Sequence, residues 1–190
     1  NTRREGPTQL TFCPEKGITT HMSEHFQVFV SLGSNSADAE NMLDLARQAL
    51  AKLPHIRLEA VSPVYSTAPQ DYADQPWFLN QVVELAADAG WRPCSLVDAL
   101  LEVEAQLGRV RSADPALRFG PRTIDIDLLL FGKESCTNEH CLVPHPRLTQ
   151  RAFALVPLLD IAPDIMIGGV SAATWLSRLR YEKDGQRISQ

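Results

Sequence analysis

Val28, Val30 and Leu32 alternate with Gln27, Phe29 and Ser31, so Phe26–Leu32 reads as a strand. Gly33-Ser34-Asn35-Ser36 follows as a turn. Asn35 or Ser36 can cap the next helix, because a short side-chain oxygen accepts a free first-turn N–H. Met42, Leu43, Ala46, Ala49, Leu50 and Leu53 share one face of that helix, and Pro54 ends it. Ile56–Tyr65 reads as a strand whose end Pro63 places at a sheet edge. Ser66–Trp77 is a loop and Phe78–Leu85 a further strand. Trp91-Arg92-Pro93 leads into a second helix, with Leu96, Val97, Leu100, Val103 and Leu107 at helical spacing. Gly108 stands where a left-handed residue closes a helix. A basic loop runs from Arg109 to Arg122, and Thr123–Phe131 is the clearest strand of the chain. Gly132-Lys133 turns the chain, a short extended piece reaches Val143, and a helix follows Arg151.

Strand, helix, strand, strand, helix, strand is the split βαβ order. It predicts an α+β fold: a ferredoxin-like βαββαβ sandwich, an antiparallel-rich sheet with helices on both sides and loops over the site. Residues 1–25 show no period and read as a disordered extension, 26–170 as the domain, and 171–190 as a peripheral segment.

At 190 residues the chain suits one domain. A formal charge of −5 argues against a general nucleic-acid or anionic-membrane binder. The longest apolar run, Ala152–Leu159, falls far short of the ~20 residues that span a bilayer and contains Pro157. Cys13, Cys94, Cys136 and Cys141 are too scattered for a disulfide framework. Cys136 and Cys141 with His140 and His145 raise zinc, but the spacing is no standard finger, and reduced thiols of a cytoplasmic protein are the simpler reading.

Chemistry concentrates in one stretch. In the strand Thr123–Phe131, Ile124, Ile126, Leu128 and Leu130 take one face, and Asp125 and Asp127 share the other, about 7 Å apart by strand rise. Two carboxylates on one face of an apolar strand repel each other and call for cations. Hard oxygen ligands so spaced suit Mg²⁺, and two ions can bridge them to phosphate oxygens. The preceding loop, Arg109–Arg122, carries Arg109, Arg111, Arg118 and Arg122 against a single acid, Asp114. Guanidinium groups grip phosphate through paired N–H donors and keep their charge. A basic loop beside an acidic pair is what a metal–polyphosphate ligand requires.

Gly108-Arg109-Val110-Arg111 followed by Arg118-Phe119-Gly120-Pro121-Arg122-Thr123-Ile124-Asp125-Ile126-Asp127 closely resembles the 6-hydroxymethyl-7,8-dihydropterin pyrophosphokinases of folate biosynthesis. Leu32-Gly33-Ser34-Asn35, Asp74-Gln75-Pro76-Trp77-Phe78-Leu79-Asn80, Val143-Pro144-His145-Pro146 and Arg151-Ala152-Phe153 match further motifs in family order. The resemblance implies a monomeric, cytoplasmic, Mg²⁺-dependent diphosphokinase that transfers the pyrophosphoryl group of ATP to 6-hydroxymethyl-7,8-dihydropterin and releases AMP. It places two Mg²⁺ ions on Asp125 and Asp127 and catalytic roles on Arg109 and Arg122. Nucleotide contacts fall on Glu104, Arg111, Arg118, Arg122, Leu128, His145 and Arg151. Glu104 could equally be an exposed helix acid. The pterin falls to Thr67, Ala68, Gln70, Phe78, Asn80, Phe119 and Phe153. That set suits a flat heterocycle: aromatic faces stack on it, and an amide both donates to and accepts from its polar edge.

Two other classes remain open from the residues themselves. A nucleotidyltransferase also pairs Gly-Ser with two aspartates, but here 92 residues separate Gly33 from Asp125. A non-catalytic module is a common use of split βαβ folds. An RNA-binding version would need aromatics on a basic sheet face, where this chain has Asp125 and Asp127.

Overall fold

The computed structural model describes residues 25–70, 75–110 and 122–190. The strands are β1 (His25–Ser34), β2 (Ile56–Val61), β3 (Tyr65–Thr67), β4 (Phe78–Asp88), β5 (Asp125–Phe131), β6 (Cys136–Asn138), β7 (Cys141–Val143), β8 (Met166–Ile167), β9 (Val170–Ser171), β10 (Glu182–Asp184) and β11 (Arg187–Ser189). The helices are α1 (Ala39–Leu50), α2 (Pro93–Gln106), α3 (Ala152–Ile161) and α4 (Ala172–Ser177). Within the described residues the main sheet runs β10-β11-β3-β4-β1-β5, with β2 also paired to β4. The predicted α+β sandwich is therefore present, with β4 and β1 at its centre.

Both faces of the sheet are covered. Leu43, Ala46 and Leu50 of α1 and Leu96, Leu100 and Val103 of α2 pack on Val28, Val30, Leu32, Val83 and Leu85. On the opposite face, Ala154, Leu155 and Leu158 of α3 pack on Phe29, Val82 and Leu129. Phe29, assigned to the polar side of β1 by alternation, is therefore core. A strand buried on both faces has no reason to alternate.

Gly108 takes the expected positive φ, +85°, just after α2. Three expectations need correction. The residue capping α1 is Asp38, not Asn35 or Ser36, and its side chain makes no capping bond. Ser62-Pro63-Val64 does interrupt the second strand, but Tyr65–Thr67 is not an edge, because β11 pairs with it in parallel. Leu130 does not share a face with Ile126 and Leu128: the β1–β5 register shifts between Phe29 and Val30, a bulge that sends Leu130 to the α3 side. Within 171–190, α4 packs on the α3 side, β10 ends the main sheet, and Ile188 of β11 is buried against Tyr65, Ala152 and Val156.

Candidate active site

The ends of β1, β4 and β5 meet at one row across the sheet. Gly33 is opposite Asn80 on one side and Asp125 on the other. Two residues back along β1, Ser31 is opposite Asp127. A Cβ at Gly33 would lie 2.6 Å from Asn80 Oδ1, so glycine here lets the amide keep its place. The Asn80 amide rests in the space that glycine leaves, and its Nδ2 donates to Thr67 Oγ1 at 2.6 Å.

Asp125 is held by two cations. Arg109 donates to its Oδ1 and Arg122 to its Oδ2. Arg109 Nη1 also donates to Glu104 Oε1 at 2.8 Å and to the Ile124 carbonyl at 2.9 Å. Glu104 is 1% exposed and accepts the Ile126 N–H at 2.7 Å. The exposed-acid alternative for Glu104 thus fails. Its carboxylate ties α2 to β5 and aims Arg109 at Asp125.

Asp127 is less closely matched. Arg151 Nη1 is 3.5 Å and His145 Nε2 3.9 Å from its Oδ2. Burial opposes ionisation of Asp125, but Arg122 and Arg109 overcome it and hold that carboxyl below its ordinary range. Burial, reinforced by the Asp125 charge, pushes Asp127 up to about 6. Burial and then Arg151 lower His145 to about 4, so its ring is neutral at pH 7. A carboxylate destabilised by its twin, in a set of hard oxygen donors, fits a divalent cation such as Mg²⁺.

Asp125 and Asp127 form part of one wall of a cavity of about 100 Å³. Thr67, Ala68, Gln70, Phe78, Asn80 and Phe153 line it together with Arg122, Asp125, Asp127 and Arg151. The structure thus gathers the six described residues assigned to the pterin beside the two aspartates. The Arg151 guanidinium lies 5.4 Å from the Phe153 ring centre. Leu128 does not face this cavity. It is buried with Ile126 against the α1–α2 layer, so any nucleotide contact falls to its backbone. Arg111, Arg118 and Phe119 lie outside the described residues.

Sequence reasoning gave no site role to Ser31, Gly33, Gln75 and Arg147, which line the cavity. Asn35, assigned to a cap, instead joins the two loops that flank the site. Its Oδ1 accepts the Arg122 N–H at 2.7 Å, and its Nδ2 donates to Gln75 Oε1 at 3.1 Å and the Pro76 carbonyl at 3.3 Å. The available signal was proximity: Asn35 sits in the Leu32–Asn35 motif, and Arg147 two residues after His145.

Residues 29–163 match the family model for 7,8-dihydro-6-hydroxymethylpterin-pyrophosphokinase. A 2-amino-4-hydroxy-6-hydroxymethyldihydropteridine pyrophosphokinase of Pseudomonas aeruginosa is 45% identical over 141 residues, 74% of this chain and 83% of that protein. The protein of the same name from Methylorubrum extorquens is 42% identical over 153 residues, 80% and 93% of the two chains. The fold is also similar to a solved Plasmodium falciparum HPPK-DHPS, wild type, with pterin and p-hydroxybenzoate, at TM-score 0.59 and 12% identity. That match covers 84% of this chain and 44% of the solved one. The carboxylate pair, its arginines and the pocket beside them stand on the fold of these proteins, and the chain belongs to the 7,8-dihydro-6-hydroxymethylpterin-pyrophosphokinase family, enzymes of pyrophosphoryl transfer in folate biosynthesis.

Proposed function

We propose that this chain moves the β,γ-pyrophosphoryl group of ATP to the hydroxymethyl group of 6-hydroxymethyl-7,8-dihydropterin, with Asp125 and Asp127 holding two Mg²⁺ ions. The observation that carries the reading is that the acid pair and the Phe78–Asn80–Phe153 group line one cavity. The acceptor hydroxyl oxygen forms a bond to the β-phosphorus. The bond from that phosphorus to the oxygen bridging to the α-phosphate breaks, AMP leaves, and the hydroxyl proton passes to solvent. Mg²⁺ held by Asp125 and Asp127 would supply charge neutralisation at the phosphate oxygens.

The chain's own groups do the positioning. Phe78 and Phe153 offer flat apolar faces, and Asn80 presents an amide fixed by Thr67 and Gly33. Arg109 and Arg122 balance the charge of Asp125. With ions on that carboxylate, Arg122 and the Arg109 N–H groups not held by Glu104 would be available to phosphate oxygens. Neutral His145 hydrogen-bonds rather than adding charge, and Arg151 balances Asp127.

Product identification tests the reading. Incubation with ATP, Mg²⁺ and the hydroxymethyl dihydropterin should give AMP and the pterin diphosphate in equal amounts. Release of ADP would show phosphoryl transfer, and release of pyrophosphate would show nucleotidyl transfer. Either result overturns the proposal.

A further inference from the structure

Three thiols meet at the start of α2 and the β6–β7 hairpin, apart from the cavity. Cys94 lies in the first turn of α2, Cys136 opens β6 and Cys141 opens β7. Their sulfurs all lie within 4.8 Å of one another, and Cys94 Sγ is 3.4 Å from Cys136 Sγ. All three are free cysteines. The two histidines that sequence spacing grouped with Cys136 and Cys141 are engaged elsewhere or exposed. His145 Nδ1 accepts the Arg147 N–H and its Nε2 faces Asp127. His140 is exposed in the hairpin turn. Cys94, 42 residues before Cys136, takes their place.

The spacing separates the possible uses of such a cluster. A disulfide needs sulfurs at about 2.05 Å. Sulfurs bound tetrahedrally at about 2.3 Å from one ion lie about 3.8 Å from each other. The Cys94–Cys136 contact of 3.4 Å, with all three sulfurs inside 4.8 Å, falls on the side of the second value. Cys141 is buried and the other two are half-buried, so one side of the cluster opens to solvent. Thiolates select soft d¹⁰ ions over Mg²⁺.

We propose that Cys94, Cys136 and Cys141 bind one thiophilic d¹⁰ cation, Zn²⁺, as three thiolate ligands with a fourth position left to solvent. Uptake releases up to three thiol protons to solvent, without any change of oxidation state. The ion would fasten the first turn of α2 to the hairpin. The same helix carries Glu104 toward the rear of the active site, and β7 leads directly to His145. Its role is a staple, and the proposal does not depend on the reaction assigned to the cavity.

The test uses the full chain carrying Cys13→Ser, so that every remaining thiol belongs to the cluster. The protein is reduced, stripped of metal and titrated without oxygen, with Zn²⁺ against a chromophoric chelator and with Co²⁺ as a spectroscopic probe. One equivalent of Zn²⁺, a thiolate-to-cobalt charge-transfer band and a raised melting temperature are expected. Cys94→Ser and Cys136→Ser, both at half-buried positions, should each weaken Zn²⁺ binding by at least about tenfold while the circular dichroism stays unchanged. Uptake well below one equivalent, or unchanged affinity in either folded variant, would overturn the proposal.

Discussion

Asn35 reaches Arg122 across 87 residues of sequence: its Oδ1 accepts the Arg122 backbone N–H at 2.7 Å, and its own N–H returns a bond to the Arg122 carbonyl at 3.3 Å. The same side chain holds Gln75 and Pro76. One buried amide therefore sets the separation of the two loops that bracket the cavity. Asn35→Ala should cost about 1–3 kcal/mol of stability through the donors it orphans. Turnover should fall by about tenfold or more, because Arg122 loses its anchor. Denaturant unfolding with steady-state kinetics checks both, and an unchanged kcat would remove the positioning role.

Asp127→Ala and Arg122→Ala should each reduce kcat by at least about 10²–10³-fold. Neither side chain is a core packing residue, so far-ultraviolet circular dichroism should match the wild type. Wild-type turnover in both variants would dissolve the assigned site.

Acidity at Asp127 gives a signed prediction. Its folded-state value is raised from the ordinary carboxylate value up to about 6. Between those values the folded chain binds more protons than the unfolded one, so stability of the metal-free protein falls as pH rises through that window. Asp127→Asn should flatten the fall and raise the melting temperature at pH 7. A melting profile from pH 4 to pH 7 that is identical in the two proteins would contradict the assignment.

Glu104→Ala removes a carboxylate that is 1% exposed and paired with Arg109. Breaking one side of a buried pair costs about 3–5 kcal/mol. Glu104→Gln should recover part of this, since an amide oxygen still accepts the Ile126 N–H. Equal stability of the two variants would show that the backbone bond contributes nothing.

Gly33→Ala would drive a methyl group to 2.6 Å from Asn80 Oδ1. The amide must turn away from Thr67. KM for the pterin should rise by about tenfold or more, the loss of one to two oriented hydrogen bonds, with KM for ATP little changed. Parallel increases in both constants would refute a pterin-side role for Asn80.

The aspartate strand was readable because an apolar run interrupted by two acids has few folded solutions, and its neighbouring arginines carried the same message. Split βαβ order was equally legible from periodicity. Phe29 was misplaced because alternation loses meaning in a strand covered on both sides. Nothing local announces β11, a three-residue strand whose partner β3 lies over a hundred residues earlier. The bulge at Phe29/Val30 is likewise a property of the pair of strands and not of either alone. Cys94 joined Cys136 and Cys141 only through tertiary packing.

The transverse alignment of Asp125, Gly33 and Asn80 has a bearing on how such enzymes can diverge. The interval from acid to amide is two interstrand spacings, roughly 10 Å, and hydrogen-bonded ladders do not stretch. Sliding any of the three strands by one step would invert every side chain it carries. Adapting the enzyme to a longer or bulkier acceptor therefore leaves the ladder untouched, and the freedom to do so resides in the connecting segments on either side.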